Sequence, residues 1–348
     1  MDERAPTLRV PAAAPASAGR AASPPRRAVW QTVGWLILAV ALLTFPAYAS
    51  GYLLFMATLV AINVIATTGL NITVGYAGLL SIGHSAFIGV GAYASALLWI
   101  HYGTPLLFNI AAGAVAAFLV GLVFGAPSLR IKDAYLAIAT LAAQYSLYFV
   151  FQQWTSVTGG ERGLTVPGVD VLGMGDIGFY YLVIVVTVLL CIASRNLFRT
   201  RVGRAFIALR ERDYAAEVLG INVVLYKLLA FALGAAYAGV TGALMAVFLR
   251  IVNPDQFTLL HSVFFLAAVV VGGQASTLGS ILGAAFMTMM PEVLRDLLEL
   301  VGSKDVAGIL SPMREIIFGA LIVTFLMFEP RGLAGLFDRL RVGGRRSS

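Results

Sequence analysis

The sequence predicts an all-α fold, a polytopic transmembrane bundle of eight to ten membrane segments with both termini on the cytoplasmic side. Three observations carry that reading. Of 348 residues, 59% are hydrophobic and only 12% are charged, where a water-facing domain carries roughly 25% charge. The apolar residues fall into runs that approach the length of a helical span, about 20 residues. The basic residues sit almost entirely on alternate connections. This composition excludes a water-soluble enzyme and a disordered protein. Although Lys and Arg number 24 against 17 Asp and Glu, a net charge of +7 on so apolar a chain does not mark a nucleic-acid binder. The single cysteine, Cys191, lies in an apolar run and leaves no intrachain disulfide, cysteine metal cluster or redox pair.

Residues 1–29 are rich in Ala, Pro and Arg (Arg4, Arg9, Arg20, Arg26, Arg27) and lack apolar periodicity, so they read as a disordered basic cytoplasmic tail. The transmembrane region covers 30–328. Its first run, Trp30 to Tyr48, follows Arg26 and Arg27, and Ala47-Tyr48-Ala49 imitates a signal-peptidase site. The run is long enough to span and further spans follow at once, so it reads as a retained helix. Apolar runs then cover 52–69, 75–100, 104–127, 134–153, 178–194, 228–249, 260–273, 280–297 and 312–328. If all ten cross, nineteen of the 24 Lys and Arg lie on the side of the termini, in 1–29, 128–133, 195–227 and 329–348. Only Arg162, Arg250, Arg295, Lys304 and Arg314 fall opposite. By the positive-inside rule both ends are cytoplasmic, and 329–348 is a second basic tail. The run 260–273 is short and 75–100 is interrupted by glycines, so either also fits a re-entrant hairpin. Folding a neighbouring pair back removes two crossings and leaves eight spans with the same sidedness.

Three stretches stand out. Gly69 to Tyr93 gathers small and polar residues. Gly83, Gly89 and Gly91 let backbones approach, whereas Asn71, Thr73, Ser81 and His84 are costly against lipid and are expected to face protein or a water-filled path. The glycines read first as packing positions, while the polar cluster fits packing and path lining equally. Val271 to Gly283, with Gly272 and Gly273, interrupts apolar sequence in the same manner, and Gly78 and Ser81 align loosely with Gly273 and Ser276. Broken hydrophobic segments in corresponding halves point to a midplane site at a repeat interface. The third stretch, Arg199 to Gly220, has helical period but is too short and polar to span. Ala205, Leu209, Arg212, Ala216 and Leu219 share one face, and Gly220 is placed to end the helix. Anionic headgroups would explain the arginines, among them Arg204 and Arg210, but would repel Glu211, Asp213 and Glu217. The segment therefore reads as a helix on the membrane surface that docks into a protein groove.

Two other classes of function find little support. A secondary transporter or channel leaves carboxylates or histidines in its spans; here Glu292, Arg295, Asp296 and Glu299 lie near an expected outer end, and His84 reads as a packing residue. An intramembrane enzyme would use Ser81 or Ser85 with His84, His101 or His261. Neighbours such as His84 and Ser85 point apart on a helix, and Ser81 with His84 has no carboxylate nearby to orient the imidazole. No catalytic residue is assigned, and three scattered histidines without metal-ligand spacing assign no metal.

The stretch Val74-Gly75-Tyr76-Ala77-Gly78 and Leu80-Ser81-Ile82-Gly83-His84-Ser85-Ala86-Phe87 resembles the most recognisable block of the LivM-type permease subunits of branched-chain amino acid ABC importers. Similar blocks follow in order: Ile138-Ala139-Thr140-Leu141, Thr158-Gly159-Gly160 with Gly163-Leu164, Gly203-Arg204-Ala205, Ala215 to Gly220 followed by Tyr226-Lys227-Leu228, and Pro330-Arg331-Gly332-Leu333. The resemblance spans nearly all of the chain. It implies a permease, not an enzyme, in the bacterial inner membrane, carrying branched-chain amino acids; closely similar permeases are associated with urea, short amides or other amino acids. The partners implied are a homologous second permease subunit, two ATP-binding subunits and a periplasmic substrate-binding protein, all working within membrane lipid and none of them nucleic acid. The chain holds no cofactor of its own, and ATP belongs to the partner subunits, since no Gly-x-x-x-x-Gly-Lys-[Ser/Thr] occurs here.

Importer permeases carry a coupling segment of pattern Glu-Ala-Ala, three variable residues, then Gly. Ala215, Ala216 and Gly220 fit this frame, Tyr214 stands in place of the Glu, and the hydrophobic tail ending in Pro is absent. The roles implied are ATPase coupling by Arg204, Arg210, Asp213, Ala215, Ala216, Glu217 and Gly220 within the cytoplasmic loop 195–227. A substrate path would run along Asn71, Thr73, Gly75, Gly78, Ser81, Gly83, His84, Gly272 and Gly273. The binding protein would dock on the periplasmic loop 154–177 at Thr158, Gly159 and Gly160.

Overall fold

The structure is a computed structural model that describes residues 41–126, 133–168, 171, 173–301, 319, 320, 323 and 332–335. The chain divides into two units, Met1–Tyr48 and Ala49–Ser348. In the first, residues 41–48 are helical. The tail 1–29, the first part of the run 30–48, and most of 312–328 and of 329–348 lie outside the described residues.

Among the described residues of the second unit ten helices longer than a single turn follow one another, besides the one-turn helix Thr155–Thr158: α1 Gly51–Asn71, extended by a π-helical turn Ile72–Tyr76; α2 His84–Tyr102; α3 Leu106–Gly125; α4 Asp133–Gln153; α5 Gly175–Leu197; α6 Arg201–Glu211; α7 Asp213–Val218; α8 Val223–Leu249; α9 Leu259–Gly272; and α10 Thr277–Val301. Side chains that supply the missing first-turn acceptor mark several starts. Ser50 accepts from Leu53 N–H in α1, Thr200 from Gly203 N–H in α6, and Asn222 from Leu225 N–H in α8. At the end of α2, Gly103 takes a left-handed φ of 58° and returns its N–H to Trp99 O. Among the described residues seven helical segments are long and apolar enough to cross a membrane: Gly51–Tyr76, His84–Tyr102, Leu106–Gly125, Gly175–Leu197, Val223–Leu249, Pro254–Gly272 and Thr277–Asp296. This is a multi-pass, all-α membrane protein.

The core sits on α8, which packs against α1, α2 and α3. Its glycines are there because other backbones occupy the space of a side chain. A Cβ on Gly242 would stand 1.9 Å from Ile88 O, and one on Gly239 would stand 2.3 Å from Gly113 O. One on Gly91 would meet Gly239 Cα at 2.4 Å. Close approach of this kind replaces the hydrophobic driving force that lipid cannot supply. Leu164–Thr165 pairs antiparallel with Ile251–Val252, with Leu164 opposite Val252, and this pairing ties the loop after α4 to the end of α8.

Two expectations from sequence need correction. The run 75–100 is not one segment: the helix ends at Tyr76, the chain turns through 77–83, and α2 begins at His84. Gly78 at φ +70° makes the turn, and Leu79 N–H closes it on Thr73 O at 3.0 Å. Nor do Ala205, Leu209, Arg212, Ala216 and Leu219 form one helical face. Arg212 is extended (φ −161°, ψ 116°) and separates α6 from α7, so Ala205, Leu209 and Ala216 are buried while Arg212 and Leu219 are exposed. Gly220 does end the second piece. At φ +77° it donates to Glu217 O while Ile221 donates to Ala216 O, which together satisfy two final carbonyls.

Candidate functional site

The three stretches singled out in the sequence converge at one end of the bundle. Asn71, the last residue of α1, donates Nδ2–H to Ser280 Oγ (2.7 Å) and to Ser276 O (3.0 Å), and its Oδ1 accepts from Ala275 N–H (3.0 Å). Both donors and the acceptor of one buried amide are thus spent on the loop between α9 and α10. Gly75 is required beside it, because a Cβ there would lie 1.8 Å from Asn71 Oδ1 and 2.6 Å from Ala275 N. Thr73 is bonded to Ala230 O in α8 (3.2 Å). Gly272 and Gly273 close the far side of this seam: a Cβ on Gly272 would meet Gly279 O at 2.0 Å, and one on Gly332 would meet Gly273 N at 2.6 Å. Asn71→Ala is expected to cost about 2 kcal/mol by leaving the Ala275 N–H unpaired, read as a lower unfolding midpoint of the purified protein.

The turn 77–83 leads to a second polar group. Ile82 N–H donates to Thr140 Oγ1 at 3.1 Å, and Gly83 lies against the Thr140 carbonyl. His84 is buried and its Nε2 donates to Ala66 O at 3.0 Å. The start of α2 has no cap of its own, since Gly83 offers no side chain. Other helices supply one. Ser262 Oγ in α9 accepts from Ser85 N–H (2.9 Å), and Gln144 Oε1 in α4 accepts from Ala86 N–H (2.9 Å). Gln144 Nε2 in turn donates to Phe257 O (2.6 Å), and Ser85 Oγ donates to Thr258 O (2.7 Å). Burial of this group is complete and every contact is neutral, so it fixes where α2 begins without placing a charge in the membrane.

Of the expected path residues, Asn71, Thr73, Gly75, Ser81, Gly83, His84, Gly272 and Gly273 are buried within this chain, and Gly78 is exposed. The basic stretch lies over Gly78. A Cβ on that glycine would stand 3.1 Å from Arg210 Cα, and the rings of Tyr76 and Phe198 stack with centroids 3.2 Å apart. Ala216 is buried, whereas Arg204, Arg210, Tyr214, Ala215, Glu217, Val218 and Gly220 are exposed. Asp213 forms an ion pair with Lys227 in the first turn of α8.

At the opposite end, Thr158 and Gly160 are buried in the turn they build. Thr158 Oγ1 contacts Phe151 O (2.7 Å) and Trp154 O (2.8 Å), and Gly159 and Gly160 have φ of +74° and +61°. The surface of that loop is offered instead by Trp154, Glu161 and Arg162. Tyr52 at the start of α1 donates to Glu292 Oε2 (2.9 Å), which also pairs with Arg295; this accounts for two of the charges in α10.

Gln144 and Ser262 escaped the sequence reading, while Ser280 lies within the stretch Val271 to Gly283 that it singled out. Gln144 and Ser262 are polar residues inside apolar runs, the signal that marked His84, but neither stands beside the glycines that drew attention there. Among the described residues no three of His, Cys, Asp and Glu stand together as a metal site would need.

A multi-span helical bundle with a buried polar seam at one end, and an exposed, amphipathic helix pair laid over it, defines the membrane subunit of a transporter. The family model for the branched-chain amino acid transport system permease component matches residues 52–326. The chain belongs to that family. It is 32% identical over 328 residues to the high-affinity branched-chain amino acid transport system permease protein LivM of Escherichia coli K12, covering 86% of this chain and 73% of that one. A probable LivM of Methanocaldococcus jannaschii is 24% identical over 309 residues, 77% of this chain and 89% of its own. The permease protein LivH of Escherichia coli K12 is 27% identical over 288 residues, again 77% and 89%. No solved structure gives a significant match.

Proposed function

We propose that this chain is one of two homologous permease subunits of an ATP-powered importer of branched-chain amino acids in a bacterial inner membrane. The observation that carries the proposal is the contact of α6 with the turn at Gly78, which puts the exposed helix pair directly against the end of the buried polar seam. On this reading ATP binding closes two separate ATPase subunits against α6 and α7. Arg204, Arg210, Asp213, Ala215, Ala216, Glu217 and Gly220 belong to that docking segment, and the seam of Asn71, Thr73, Gly75, Gly78, Ser81, Gly83, His84, Gly272 and Gly273 shifts beside the solute path. The loop built on Thr158, Gly159 and Gly160 receives the loaded binding protein on the outer side. With α4, whose 21 residues extend about 31 Å at 1.5 Å each, the spans number at least eight and both termini are cytoplasmic.

Two further features support protein neighbours. Tyr145 and Ser146 lie beyond the middle of α4 and are exposed, where lipid would strand their hydroxyls. By contrast, the exposed residues of α3 (Leu107, Phe108, Val115, Leu119, Val123) are all apolar and suit lipid. Val218 is 88% exposed in α7 and has no packing to lose. Val218→Asp is therefore expected to leave the protein assembled in the membrane and to abolish stimulation of ATP hydrolysis by the loaded binding protein. Unaltered stimulation would remove the docking role. The substrate is tested by uptake of radiolabelled leucine in cells with and without the gene, against isoleucine, valine, alanine and urea as competitors and with ATP depleted. Loss of ATP-dependent leucine uptake that isoleucine and valine compete is the expected result. Unchanged leucine uptake with loss of urea uptake would change the substrate, and ATP-independent uptake would overturn the mechanism.

A further inference from the structure

We infer that Lys227, at the foot of α8, is a positioning residue that carries movement of α7 into the bundle through its ion pair with Asp213; this rests on the coupling role proposed above for α6 and α7. The side chain of Lys227 is 11% exposed and that of Asp213 is 42% exposed, so the ammonium is the buried partner and Nζ donates to Asp213 Oδ2. The covalent connection between the two helices is residues 219–222. It is a poor lever: Leu219 is exposed, and Gly220, at φ +77°, has open space where a Cβ would be. The ion pair is a second tether between the same two helices. An apolar contact would allow α7 to slide over α8, but an ammonium in this position cannot leave its carboxylate without becoming an uncompensated buried charge. The link therefore resists separation.

What α8 does with a displacement follows from its glycines. Gly234 lies against Thr73 Oγ1, Gly242 against the backbone of Ile88 and Ala92, and Gly239 against Gly113 O. The contacts of Gly242 and Gly239 are with backbone atoms and leave no side chain to rearrange, and the Thr73 hydroxyl that Gly234 meets is held on Ala230 O of α8 itself, so a shift at the foot of α8 passes to the π turn of α1, to α2 and to α3. Thr73 belongs to the polar seam, and Ile88 lies one turn beyond the capped start of α2. Lys227 thus stands where one displacement reaches both.

The test uses the complete complex, with its ATPase subunits, second permease and binding protein, reconstituted in liposomes. Two quantities are read. One is the ratio of ATP hydrolysed to solute imported. The other is the distance between spin labels at Leu219, the exposed cap residue that ends α7, and Leu249 at the far end of α8, in a Cys191→Ser background, with and without trapped ATP. In the parent complex the distance is expected to be the same in both states. Lys227→Met is expected to make it differ between them and to raise the ATP ratio by about tenfold, and Lys227→Arg, which keeps the ion pair, is expected to leave both as in the parent. Lys227→Gln, which keeps a polar end without the charge, gives the same test where Lys227→Met does not assemble. A constant distance and an unchanged ratio in Lys227→Met or Lys227→Gln, or an assembled Lys227→Arg variant that behaves as they do, would overturn the inference. The spin-label distance needs no transported solute, so an error about what is carried changes the first quantity and leaves the second standing.

Discussion

Gly242→Leu is expected to lower the yield of folded protein in the membrane and to lower its melting temperature. At this point α8 and α2 touch through their backbones, and the first added carbon would sit 1.9 Å from Ile88 O and 2.6 Å from Ala92 N. Neither atom belongs to a side chain that can rotate away, so relief requires α2 and α8 to separate. The neighbouring contacts of Gly91 with Gly239, and of Gly239 with Gly113, would be pulled apart as well. Overpacking of this kind costs about 3 kcal/mol, a large share of a total of roughly 5–15 kcal/mol. The better helix propensity of Leu, worth about 0.8 kcal/mol, is too small to offset it. The measurement is the yield of a single symmetric peak on size exclusion of the solubilised protein, followed by its melting temperature. Gly51→Ala is the control, because nothing lies within 4 Å of its added carbon. A Gly242→Leu protein that melts with the parent would show that the helices are not in backbone contact there.

Gln144→Leu is the second large effect. The two side chains are similar in volume, so packing is nearly kept and the loss is polar. Ala86 N–H loses its acceptor, Phe257 O loses its donor, and the hydroxyls of Ser85 and Ser262 lose a shared neighbour. Because Ser85, Ala86, Gln144, Phe257 and Ser262 are buried, the expected cost is about 3 kcal/mol, and Ser262→Ala, which orphans the Ser85 N–H alone, costs about 1–2 kcal/mol. Because both residues serve one group of hydrogen bonds, the double variant is expected to lose less than the sum. The unfolding midpoints of the two single variants and the double variant provide the check. Equal midpoints for Gln144→Leu and the parent would mean that the start of α2 finds its partners elsewhere.

Seven of the ten expected segments were legible, because an apolar run near 20 residues needs no knowledge of its neighbours. Helices begin earlier than the runs did, at Gly175, Val223 and Thr277 where the apolar stretches start at 178, 228 and 280, since a helix end that reaches the headgroups carries polar residues. The seam was legible in kind: Asn71, Thr73 and His84 were expected to face protein or water, and they bond to Ser280, Ala230 and Ala66. Its wiring was not. That Gln144 supplies an acceptor to Ala86 depends on a pairing across 58 residues of chain, and a polar letter in an apolar run does not say which N–H lacks a partner. The break at Arg212 was hidden for a different reason. Helical period continues through it in the sequence, whereas the ion pair of Asp213 with Lys227 and the burial of Ala216, which hold α7 in its new direction, are contacts the period does not encode.

The borrowed cap of α2 also bears on the order in which the protein is made. Ser85 and Ala86 leave the ribosome well ahead of Gln144, and Ser262 follows Ser85 by 177 residues, which at 5–20 residues per second is roughly ten seconds or more of synthesis. Through that interval the amino end of α2 is at best partly capped: Ala86 N–H gains Gln144 after 58 residues, and Ser85 N–H waits for Ser262. Its amides must be held by water or by the insertion machinery, and the bundle reaches its final state only when the ninth helix arrives.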